Sequence, residues 1–170
     1  MLIRENLLIQ KFKEQKINYS PILIYGPNEG LVRENFLKIK EIFNQNNAEE
    51  VCFSGKLIND QPEILVDEVQ TVSMFNEQKI ITIEQPIDKN IDLFESVFTK
   101  LPDQTLIIVI ANNLTKTSKI RKFFESSDKY FSCANYEDDF KSNSQQIQNL
   151  EKSINKNLHR DIKHLSLIHI

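Results

Sequence analysis

The part of the 170-residue chain with the most chemical content is a turn bracketed by glycines, Gly26-Pro27-Asn28-Glu29-Gly30. It follows the apolar run Ile22 to Tyr25 and precedes a helical pattern. That is where a phosphate-binding loop sits, with backbone N–H groups and a helix N-terminus facing the anion. Such a loop ends in Gly-Lys-Ser/Thr, the lysine for the β- and γ-phosphates and the hydroxyl for Mg²⁺. Here Gly30 is followed by Leu31-Val32-Arg33. Glu29 also brings a carboxylate into the cradle, and a like charge ~4 Å away costs roughly 4 kcal/mol at an effective dielectric of ~20. Arg33 is a poor stand-in for the lysine, because the pattern puts it inside the helix. The turn reads as structural, with no cofactor and no ATPase activity expected.

Other candidates are weaker. An ATPase needs paired carboxylates at a strand end, but Glu84 stands alone after Lys79–Ile83. Asn112-Asn113 ends another apolar run, where a γ-phosphate sensor could sit; in a chain this rich in Asn it reads as a turn. His159, His164 and His169 are five apart, about 140° on a helix, so they do not converge on a metal. Cys52 and Cys133 are too few and too distant for a disulfide framework or a metal set. They are expected to be small buried thiols in a reducing, cytoplasmic setting. Lys116, Lys119, Arg121 and Lys122 form a basic group, either a solvated helix face or a contact for a partner or DNA phosphates.

The segment Thr71-Val72-Ser73-Met74-Phe75-Asn76-Glu77 joins a helical pattern to a strand pattern, where a polar loop is expected. Instead it carries Val72, Met74 and Phe75. Spacing leaves two readings open: core residues at the end of a helix, or an exposed apolar anchor for a partner.

These residues need a frame to hold them. Ile22–Tyr25, Glu50–Phe53, Lys79–Glu84, Thr105–Ala111 and Lys129–Cys133 read as strands. Leu31, Val32, Phe36, Ile39, Ile42 and Phe43 make one helix face, broken by the polar Asn35. Asp60, Pro62 and Glu63 suggest a helix start with Asp60 as cap. Ile91, Phe94, Val97 and Phe98 mark another helix, and Thr117 or Ser118 caps one carrying Ile120, Phe123 and Phe124. Strands alternating with helices predict an α/β domain with a mostly parallel sheet. After Tyr136 the composition turns polar, which places a boundary near 136–140, so that 1–138 form the α/β domain. Two short helices follow, 145–156 and 160–168. The apolar end, Leu165 to Ile170, reads as a truncated frame or a short docking helix. The net charge of -3 argues against a free-standing DNA binder. No apolar run is long enough for a signal peptide or a membrane span.

From Ile22 through the Gly26–Gly30 turn to Arg33, the sequence resembles the delta subunit of the bacterial DNA polymerase III clamp loader. The family pattern continues through Val72-Ser73-Met74-Phe75, Asn113-Leu114, Ser118 to Glu125, Cys133 and Tyr136, in register to about residue 165. The resemblance implies an AAA+ (P-loop-like) α/β domain over 1–138 with a degenerate phosphate loop. It implies the start of a helical lid domain over 139–170, with a C-terminal collar domain outside this chain. It also implies a subunit that does not bind ATP but binds the sliding clamp (the beta subunit) and holds it open for loading on primed DNA during replication. Val72, Met74 and Phe75 would be the plug that enters the clamp. The other implied partners are the gamma/tau and delta-prime subunits, with DNA contact only in the assembled complex and no membrane. The chain would have no catalysis of its own, within an assembly that is a DNA-directed DNA polymerase, a nucleotidyltransferase.

Two alternatives differ in what they predict. A diverged nucleotide-binding α/β enzyme would show nucleotide affinity. A loader subunit of the delta-prime type carries a cysteine-rich zinc module, which two distant cysteines do not support.

Overall fold

A computed structural model of the chain describes residues 2–3, 8, 10–11, 19–44, 48–71 and 78–136. The chain divides into two units, Met1–Tyr136 and Glu137–Ile170, and the described residues all belong to the first. The helices expected over 145–156 and 160–168, the three histidines and the apolar end lie outside the described residues.

Among the described residues six strands form one sheet: β1 (Leu2–Ile3), β2 (Ile22–Tyr25), β3 (Glu49–Ser54), β4 (Lys79–Glu84), β5 (Thr105–Ala111) and β6 (Phe131–Ala134). The order across the sheet is β1-β6-β2-β5-β4-β3, and every neighbouring pair is parallel. Parallel pairing needs crossovers, and helices supply them. The helices with both ends among the described residues are α1 (Glu29–Phe43), α2 (Gly55–Asp60), α3 (Pro62–Gln70), α4 (Ile91–Phe98) and α5 (Lys119–Ser126). A 3₁₀ turn, Asp88–Asn90, precedes α4.

The strands alternate between two cores. Ile22, Ile24, Ile80, Leu106 and Ile108 face one side, where Val32, Phe36 and Ile39 of α1 cover them. Leu23, Tyr25, Ile81, Ile83, Ile107 and Val109 face the other, against residues of α2 to α5. Both faces of β2, β4 and β5 are covered, so β2 and β5 are apolar almost throughout, as buried parallel strands tend to be, and β4 carries Ile80, Ile81 and Ile83 between its polar residues. Phe94, Phe98, Phe123, Phe124 and Tyr130 form an aromatic cluster in the second core; Phe94 and Phe98 stack at 5.0 Å and Tyr130 lies edge-on to Phe98 at 5.4 Å.

The structure departs from the sequence reading at four places. Leu2–Ile3 forms an extra edge strand paired with Ser132 and Cys133. The short helix α2 occupies Gly55–Asp60, with Ser54 accepting from the Leu57 N–H at 3.2 Å. Asp60 is therefore the last residue of a helix and not the cap of the next; Gln61 stands between α2 and α3 and makes no side-chain cap bond. Cys52 is exposed and not buried, because β3 is an edge strand in which Val51 and Phe53 fall on the inward side and Cys52 on the exposed one. Cys133 is buried as expected.

Asn35 interrupts the apolar face of α1 for a reason the pattern does not reveal. Its side-chain amide donates to the side-chain oxygen of Asn135, just beyond β6. Asn135 in turn donates through its side chain to the carbonyls of Tyr25 and Cys133, each at 3.3 Å. This buried polar link ties α1 to the ends of β2 and β6.

Candidate functional site

In a parallel sheet, ligands gather at the carboxyl ends of the strands, where crossovers diverge. Here that edge is formed by Gly26 after β2, Glu84 at the end of β4 and Gln85 after it, Asn112 after β5 and Asn135 after β6. The turn after β2 is short: only Gly26, Pro27 and Asn28 separate Tyr25 from the first residue of α1. The Gly26 N–H donates to the Asn112 carbonyl at 3.2 Å. A Cβ on Gly26 would lie 1.9 Å from the Asn135 carbonyl oxygen. The glycine is thus required by the close approach of two backbones.

The helix N-terminus behind this turn is occupied by the chain's own groups. The Asn28 side chain accepts from the Leu31 N–H at 3.0 Å. Glu29 sits in the first turn, where its negative charge suits the helix dipole. Its carboxylate also accepts from the Asn112 side-chain amide at 2.7 Å. Asn112, weighed as a γ-phosphate sensor, therefore bonds a carboxylate in the first turn of α1. Arg33 is exposed on α1. A cavity of about 170 Å³ lies here, with Glu29, Glu84, Arg33 and Asn112 among its walls. Sites for small organic ligands run to ~300–1,000 Å³, and two carboxylates face where a polyphosphate would add more negative charge. Titration of the chain with Mg-ATP is expected to give no heat of binding; micromolar affinity would instead support the enzyme reading.

The basic group does not act as one patch. Lys116, Lys119 and Lys122 are exposed, Lys119 and Lys122 three residues apart on α5. Arg121 is drawn inward. Its Nε donates to Glu125 at 2.9 Å, its terminal nitrogen to the Tyr136 hydroxyl at 2.9 Å, and its guanidinium lies 5.2 Å from the Tyr25 ring centre. Tyr25 donates to Glu125 at 2.6 Å. Burial, reinforced by the Glu125 carboxylate, pushes the Tyr25 phenol well up, so it stays protonated and remains the donor.

The start of α5 carries a contact that sequence reasoning missed. Asp88, from the turn before α4, accepts from the backbone N–H groups of Lys119 at 3.1 Å and Ile120 at 3.2 Å. Of the two expected caps, Thr117 and Ser118, it is Ser118 that takes the position, accepting from the Arg121 N–H at 3.5 Å. Helix-cap reasoning looks within one turn of the sequence, and Asp88 is 31 residues from Lys119.

Val72, Met74 and Phe75 lie outside the described residues. Their flanks are described. Thr71 follows α3 and Gln78 precedes β4, at the amino-terminal edge of the sheet, opposite the Gly26 turn. Among the described residues no group of three or more His, Cys, Asp or Glu could hold a metal, and no helix is long and apolar enough to cross a membrane.

The strand order and the turn after β2 define a parallel α/β domain whose first long crossover helix is capped by its own Asn28 side chain. The family described as DNA polymerase III, delta subunit, matches residues 22–134. The chain belongs to that family. Among solved structures it is similar to the Bacillus subtilis DNA clamp loader delta protein, with a TM-score of 0.64 and 16% identity. The match covers 88% of this chain and 47% of that one, so the chain spans about half the length of the structure it resembles. No curated protein matches the chain.

Proposed function

We propose that this chain is the clamp-binding part of a delta subunit, an AAA+ type domain that docks on a ring-shaped sliding clamp and helps hold it open for loading. The observation that carries this is family membership across residues 22–134, a span that includes the apolar segment at 72–75. In this reading Val72, Met74 and Phe75 are the anchor, and residues 139–170 begin a helical lid. Other loader subunits complete the assembly, and exposed Lys116, Lys119 and Lys122 meet DNA phosphates only there. The closed turn after β2 agrees with a subunit that transmits force rather than hydrolysing nucleotide.

The test is direct binding of this chain to a purified bacterial sliding clamp. Saturable binding that is independent of nucleotide is expected. No binding at tens of micromolar, with the chain folded, would count against the reading.

A further inference from the structure

We draw no further inference here: the strongest candidate, the open groove between α4 and α5 over Ile91 and Phe123, is lined by lysines (Lys119 and Lys122) and carboxylates (Glu95 and Glu125) in equal number, so its charge selects no occupant and nothing in the structure shows what covers it.

Discussion

Replacing Phe75 or Met74 by Ala should each lower affinity for a bacterial sliding clamp about 30-fold while leaving the melting temperature unchanged. Fully burying one large apolar side chain contributes roughly 1.5–3 kcal/mol, so Val72, Met74 and Phe75 together supply ~5–9 kcal/mol gross. Association itself costs an estimated ~4–15 kcal/mol. Three side chains cannot carry the complex unaided, yet they are a large share of it. Anchors of this kind cost ~2 kcal/mol or more on truncation, which corresponds to about 30-fold. If these residues belong to the core instead, truncation destabilises the fold by ~2–5 kcal/mol. A clear drop in melting temperature without a specific loss of clamp binding would falsify the anchor assignment.

Gly26→Ala should be strongly destabilising, by about 3 kcal/mol or more, seen as a lower denaturation midpoint with the slope unchanged. The new methyl would meet the Asn135 carbonyl oxygen at 1.9 Å, and that oxygen belongs to backbone, which cannot rotate away. Relief requires β2 to part from the end of β6, where the Asn135 N–H bonds to the Tyr25 carbonyl at 2.7 Å. Gly30→Ala is the internal control. Its nearest neighbour would be the Asn28 side-chain oxygen at 3.4 Å, and it sits in α1. There Ala is favoured over Gly by up to roughly 1 kcal/mol. Two glycines that look alike as a phosphate-loop bracket are thus expected to respond in opposite directions. Equal, mild effects at both would show that the close approach at Gly26 is not what holds the turn.

The frame was legible because its signals are local. The central strands announce themselves as apolar runs, and α1, α4 and α5 as 3.6-residue periodicities. Leu2–Ile3 had no such signal, since two apolar residues have no period; pairing with β6 makes them a strand. The helix Gly55–Asp60 is too short for a periodic face, though Ser54 before it was a readable cap. Asp88 and Asn35 look ordinary in sequence: a loop aspartate, a misplaced asparagine. Their partners lie 31 to 100 residues away, so their roles exist only once the sheet has formed. Cys52 was misread because composition says which residues can be buried, while strand order decides which are.

The strand order also bears on how the domain is made. β2 lies between β5 and β6, yet both neighbours are translated long after it. At ~5–20 residues per second, the interval from Tyr25 to Thr105 is about 4–16 s, during which β2 has neither of its partners. β3 and β4 are the first neighbouring strands to be complete, and they form the far side of the finished sheet. The bare edges of β2 are the kind of surface that pairs wrongly. β2 must therefore wait, and the join of β6 against β2 cannot form until residues 131–134 have left the ribosome.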